Sequence, residues 1–199
     1  MGLIDWANIY RFNQFCLKEH GEGSIRSLGW RNDHSQLSRF AALAGIGDMA
    51  GCTVLDVGCG YGDLRAYLGE RYPDIVYTGI DQMEEFLAVA AEKYGHLPQT
   101  TFLQGDFTSA NLPQAEYVIA SGSLNYHNNE PGFIYRIIDK LFKTCNIALG
   151  FNLLSSIAPL GLLVAYDVDA IVNYCKKLSP NVVMHNDYAA DDFTVWVYR

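Results

Sequence analysis

Between residues 54 and 64 the chain reads Val-Leu-Asp-Val-Gly-Cys-Gly-Tyr-Gly-Asp-Leu, which sets Asp56 just ahead of Gly58, Gly60 and Gly62. Glycines let a backbone turn sharply and come within contact distance of a ligand. A helical pattern opens at Leu64, and the free N–H groups of a helix start would point at the same place. A dinucleotide fingerprint needs G-x-G-x-x-G, whereas here the third glycine comes one place early. Asp56 would face a pyrophosphate badly, but a carboxylate suits a ligand that carries an ammonium or sulfonium charge. The spacing favours a cationic cofactor and leaves an NAD-dependent oxidoreductase as the alternative.

Further candidates follow at the ends of apolar runs. Ile75–Ile80 ends on Asp81, roughly 20 residues beyond Gly58, the usual place of an acid that accepts ribose hydroxyls. Thr101–Gly105 leads into Asp106 and Phe107. An acid in such a position can also be a plain turn or cap. A fourth run ends in Ser121-Gly122-Ser123-Leu124-Asn125-Tyr126-His127. A neutral imidazole near pH 7 can take the proton of an attacking hydroxyl, so His127 is a candidate base, with Tyr126 placed to align an acceptor. The bland alternative is an exposed loop histidine. His185 with Asp187 is a second candidate pair, or else faces solvent at a turn. Asn152, polar within an apolar stretch, orients an acceptor or satisfies local backbone.

Positioning these groups requires alternating elements. Apolar runs predict strands at 52–57, 75–80, 101–105, 115–120 and 146–153, with helices at 62–70, 83–94, 131–144 and 168–177. Strands separated by helices imply right-handed crossovers and a parallel sheet. Near the end, 181–185 and 193–198 are strand-like and separated only by a short polar loop, which predicts a hairpin. Ahead of the first strand, 4–18 reads as a partly amphipathic helix. Asp33 or Ser35 could cap a second one running to Leu43, with Leu37, Phe40, Ala41 and Leu43 on its apolar side.

The D-x-G-x-G-x-G form at Asp56–Gly62, with Asp81 and Asp106 ending the next two strands, resembles the class I S-adenosylmethionine-dependent methyltransferases. The resemblance runs from about residue 50 to the C-terminus and includes the closing hairpin. It implies an α/β, Rossmann-like sheet of seven strands, mostly parallel, and S-adenosyl-L-methionine as cofactor. It also implies Asp81 on the ribose and Asp106 against the adenine amino group with Phe107 flanking the ring. Gln82, Met83 and Ser121 complete the expected cofactor contacts. Arg39 is expected to pair with the donor's α-carboxylate, or else to lie along the surface with its stem packed. The acceptor would lie beside the fourth strand's carboxyl end, covered by a segment bearing Trp6, Tyr10, Phe12, Phe15 and Trp30. Such a cover suits a small organic molecule, although ordinary helix-on-sheet packing would look the same. The Asn/Asp-Pro-Pro-Tyr/Phe motif of enzymes that methylate base amines is absent. So is the acid cluster of a magnesium-dependent catechol methyltransferase, since no Asp or Glu lies between Tyr117 and Asn129. The expected activity is methyl transfer to an O or N atom of a small-molecule acceptor; a non-catalytic cofactor-binding scaffold would keep the same loop and acids.

Bulk properties narrow the classes. A chain of 199 residues, half of them hydrophobic, makes one domain with a sizeable core. We expect residues 1–50 as a helical cap and 51–199 as the cofactor-binding core. A net charge of −8 with scattered basic residues disfavours nucleic acid as partner. Five cysteines show neither C-x-x-C nor metal-ligand spacing, which reads as reduced thiols in a cytoplasmic protein without a metal. Met1–Asp5 lacks the features of a signal peptide. Ile147–Tyr166 carries no charge, but Gly150, Asn152, Ser155, Ser156, Pro159 and Gly161 would weaken a spanning helix, so a buried strand and an apolar loop are expected there rather than a membrane segment. A homodimer is compatible with the composition.

Overall fold

The computed structural model describes residues 1–157 and 161–199. Seven strands form one sheet: β1 Thr53–Val57, β2 Val76–Asp81, β3 Thr100–Gln104, β4 Ala115–Ala120, β5 Cys145–Leu154, β6 Val182–His185 and β7 Asp192–Tyr198. Their order is β3-β2-β1-β4-β5-β7-β6, and β7 alone runs antiparallel to its neighbours. The expected mostly parallel sheet with a C-terminal hairpin is therefore present. Between β1 and β4 the chain reverses its direction of growth across the sheet. Open α/β sheets carry ligands at that switch point, beyond the carboxyl ends of the strands.

Helices cover both faces. α5, Phe133–Thr144, sets Ile134, Ile137, Ile138, Leu141 and Phe142 on one stripe, the i, i+3, i+4 spacing of a core-facing helix. With Ile171 and Cys175 of α6, Val168–Leu178, this stripe packs on Val57, Val118, Leu149, Phe151 and Val195. On the opposite face Phe40 and Leu43 of α2, Asp33–Ala44, and Leu64 and Leu68 of α3, Asp63–Arg71, pack on Val54, Tyr77, Ile119 and Ala148. α1 spans Leu3–His20 and α4 spans Glu84–Tyr94.

Two local expectations need correction. The cap of α2 is Asn32 rather than Asp33 or Ser35: its side chain accepts the Ser35 N–H at 2.9 Å, and Ser35 answers as the far side of a capping box. The buried face of α2 is Gln36, Arg39, Phe40, Leu43 and Ala44, while Leu37 and Ala41 are exposed. Polar residues occupy the first turns of that face because they front a cavity instead of the core. The uncharged stretch 147–166 lies in β5 as far as Leu154 and is without helix at 155–157 and 161–166, and Pro159 lies outside the described residues. Among the described residues no helix is long and apolar enough to cross a membrane.

Candidate active site

The loops leaving β1 and β4 diverge over a cavity of about 400 Å³. Its first half is built by the ends of β1, β2 and β3. Gly58 allows the loop to close there: its φ is +74°, and a Cβ would come 2.3 Å from that of Ser123. Any side chain would push the two loops apart. Asp81 ends β2 nearly buried, one carboxylate oxygen accepting the Gly60 N–H and the other the Met83 N–H, both at 2.9 Å. It thus ties the glycine loop to the start of α4 and keeps lone pairs for a ligand. Burial pushes its pKa up, against the N–H groups of Met83, Gly60 and Gln82 that hold it down.

Asp56, 2% exposed, accepts the Tyr77 hydroxyl at 2.6 Å. Burial pushes its pKa up to about 7 despite that hydrogen bond, and the charges of Asp81 and Asp63 act in the same direction. Asp106 accepts the Thr108 N–H at 2.9 Å and the Ser109 hydroxyl at 3.1 Å, so it also organises its own turn. Asp56, Asp63, Asp81 and Asp106 line the cavity, which also holds Arg31, Arg39 and the Met1 ammonium, the last donating to the Thr108 hydroxyl at 3.1 Å, so carboxylates outnumber the cations. Such a floor favours a cation.

The second half is a cap. Trp30 lies against Gly122, where a Cβ would come 2.9 Å from the indole ring. The Arg39 guanidinium stacks over that ring at 5.0 Å. Its Nε donates to Asp192 at 2.7 Å and Nη1 to the Ser35 carbonyl at 3.0 Å, which leaves Nη2 without a partner among the described residues. Asp192, fully buried, also accepts the Tyr188 hydroxyl. Phe12 meets Tyr126 edge-on at 6.2 Å, and burial raises the Tyr126 pKa far above its ordinary value.

Of the expected cofactor residues, Gln82, Phe107 and Ser121 reach the cavity beside the acids, Gly58 and Gly60. Gly62 and Met83 stand behind it. Gly62 caps α3 where a Cβ would come 2.9 Å from Phe102, and Met83 is buried with Tyr61 and Phe86. Arg39 lines the cavity and is buried, paired with Asp192 through its Nε. Tyr126 also lines the cavity, whereas His127 is exposed and outside the lining, its backbone N–H held by the Leu162 carbonyl. His185 and Asp187 are not among the cavity's lining residues. β6 is the outermost strand, its histidine ring packs 4.2 Å from that of Trp196, and Asp187 is exposed beyond it. Asn152 is fully buried behind the lining, where its Oδ1 accepts the Gly122 N–H at 2.8 Å and fixes the loop after β4. Of the five aromatic residues expected in the covering segment, Phe12 and Trp30 line the cavity; Trp6 stacks on Tyr10, and Phe15 is exposed. Arg31, Gln36 and Asn13 line it too, without any spacing signal that would have marked them.

Comparison with known proteins agrees with this architecture. A family model described as a methyltransferase domain matches residues 54–144, from β1 through α5. The chain is 29% identical over 158 residues to the Rv1506c protein of Mycobacterium tuberculosis, a methyltransferase by name, covering 74% of this chain and 93% of that one. It is 31% identical over 110 residues to the magnesium-protoporphyrin O-methyltransferase of Rhodobacter capsulatus, covering 53% of this chain and less than half, 46%, of that protein. The crystal structure of magnesium protoporphyrin IX methyltransferase from Synechocystis, solved with bound SAH, superposes with a TM-score of 0.71 over 98% of this chain and 97% of that one, at 17% identity, and so shares its fold. Residues 54–144 thus match a methyltransferase domain, and the fold of the chain is that of the class I S-adenosylmethionine-dependent methyltransferases. The methyltransferase takes S-adenosylmethionine as cofactor, and its residues fit that group. The acidic floor accepts a sulfonium and an ammonium, and Asp81 retains acceptor capacity. The Ser121 hydroxyl at the cavity wall is buried with no partner among the described residues.

Proposed function

We propose that the methyltransferase acts on an oxygen or nitrogen atom of a small organic acceptor seated in the cap half of the cavity. One observation carries the reading. The cofactor half opens directly onto a chamber walled by Phe12, Trp30, Leu124 and Leu163, in a cavity of about 400 Å³ for both halves together. A mostly apolar enclosure of that size suits a small ligand with a few fixed polar contacts. An acceptor that is neither protein nor nucleic acid also accords with the magnesium-protoporphyrin named for one relative.

In this reading Asp81 accepts the ribose hydroxyls, Asp106 meets the adenine amino group beside Phe107, and Asp56 faces the cofactor's positive end. When bound, the cofactor supplies a methyl group on a sulfonium that leaves readily. The chain's own part is alignment and exclusion of water: Trp30 and Phe12 close the chamber, and Asn152 holds the Gly122 loop on which Trp30 rests. The test is incubation of the purified protein with methyl-labelled cofactor and a cell extract, followed by separation of small molecules, protein and nucleic acid. Label in the small-molecule fraction is expected. Label confined to protein or nucleic acid, or no transfer at all, would refute the reading.

A further inference from the structure

The loop that leaves β4, 121–129, meets α1 at the cavity. Ile9, Phe12 and Asn13 of α1 line it together with Leu124, Tyr126 and Asn128 of the loop. The two walls are tied at both ends. Asn129 donates to the Asp5 carboxylate through its backbone N–H and its side-chain amide, and the Tyr126 hydroxyl donates to Asn13 Oδ1 at 3.4 Å. From Asp5 to Asn13 is about 12 Å along a helix. Between the ties lies a slot of small-molecule length.

Beyond Ser121, one of the expected cofactor contacts, the polar side chains of the loop are mostly spent on holding it. Ser123 donates to the Val57 carbonyl at 2.7 Å, Asn125 accepts the Leu154 N–H at 2.8 Å, and Asn129 is taken by Asp5. Asn128 differs. Its Oδ1 accepts the Glu130 N–H at 2.9 Å, which fixes the amide's orientation because a backbone N–H can only donate. Asn128 lines the cavity, and its Nδ2 is buried with no partner among the described residues. Asn13, 6% exposed, repeats the pattern: its Oδ1 is taken by Tyr126, and no described residue accepts from its Nδ2. A buried donor without an acceptor costs stability. Two of them on the walls of one slot point to a ligand that carries the missing lone pairs.

We propose that Asn13 and Asn128 select the acceptor, their amide N–H groups donating to oxygen lone pairs of an uncharged organic molecule in the slot. The proposal rests on the small-acceptor reading above. An ammonium has no lone pair to offer two donors. An anion would enter a cavity where Asp56, Asp63, Asp81 and Asp106 outnumber the cations, and where Arg31 and Arg39 are already paired with Asp191 and Asp192. A neutral hydroxyl or carbonyl oxygen meets both conditions.

The experiment uses the cell extract of the labelling assay as the acceptor source. Passed at neutral pH through an anion exchanger and then a cation exchanger, the extract should keep its acceptor activity in the unbound fraction. Retention on either resin would overturn the assignment of an uncharged acceptor. The unbound fraction is then titrated against wild type, Asn128→Asp, Asn128→Ser and Asn13→Asp. Each replacement keeps an oxygen for the Glu130 N–H or the Tyr126 hydroxyl and removes the amide donor. The amount of extract that gives half-maximal transfer should rise about tenfold in each variant. S-adenosylmethionine affinity by calorimetry should not fall, and the melting temperature should stay close to wild type. An unchanged extract requirement would remove the asparagines from acceptor binding, and weaker cofactor binding beside it would place them on the cofactor. Loss of folding in both Asn128 variants would make that amide structural and overturn the proposal too. Absence of label from every small molecule with the wild type would instead sink the small-acceptor reading.

Discussion

The two halves of the cavity hold their charges in opposite ways. In the cofactor half, carboxylates are fixed by groups close in the chain or on adjacent strands: Asp81 by Gly60 and Met83, Asp106 by Thr108 and Ser109, Asp56 by Tyr77 on the neighbouring strand. In the cap half, Arg39 on α2 is fixed by Asp192, more than 150 positions away at the start of β7. The first arrangement survives wherever the strand-loop-helix units form. The second exists only once the sheet is complete and the cap has docked on it. The cofactor half is therefore held locally, whereas the cap half depends on the completed sheet.

Breaking the long-range pair should have the largest effect. Arg39→Ala leaves Asp192 buried without its cation, which is expected to cost about 3–5 kcal/mol, read as a lower midpoint in urea unfolding. An Arg39→Leu/Asp192→Leu double variant should recover much of that loss. If the single variant unfolds like wild type, the cap half does not depend on this pair. In the cofactor half, Asp81→Ala removes an acceptor from two backbone N–H groups as well as from the ribose. At about 1.5–3 kcal/mol per hydrogen bond to a charged group, calorimetry should show cofactor affinity down by at least about tenfold; wild-type affinity would take Asp81 out of the site.

A subtler effect is expected at Asp56, whose folded pKa of about 7 lies above the unfolded value. The fold favours its neutral form, so that contribution to stability is complete at low pH and is lost as pH rises through 7. Asp56→Asn, neutral throughout, should melt above wild type at pH 8 without cofactor, with the gap narrowing towards pH 5. Equal melting temperatures across that range would show that the buried carboxyl is not strained by its charge. The smallest effect is expected at His127. Loss of a true general base costs about 10²–10⁴ in rate, whereas His127→Ala, at an exposed site outside the cavity, should leave label transfer nearly unchanged. A hundredfold loss would restore His127 to the mechanism.

The order of elements, the parallel sheet with its closing hairpin and the glycine loop with Asp56, Asp81 and Asp106 were legible in the sequence. Each is signalled within one strand and its following turn, and the positions of the glycines and acids there follow from local backbone geometry. Even so, the sequence could not say that Gly62 serves helix-on-strand contact with Phe102 while Gly58 makes room for Ser123. His127 and His185 were read from residue type and nearness to strand ends. Such reasoning does not reveal that one side chain faces solvent or that the other sits on the outermost strand. Arg31, Arg39 and Trp30 meet around the cavity only because the β7 hairpin returns beside β5 and α2 docks on β5 and β7, with Trp30 against Gly122 in the loop after β4. A spacing pattern cannot encode side chains converging from distant elements, because their proximity is created by packing and not by the chain's local geometry.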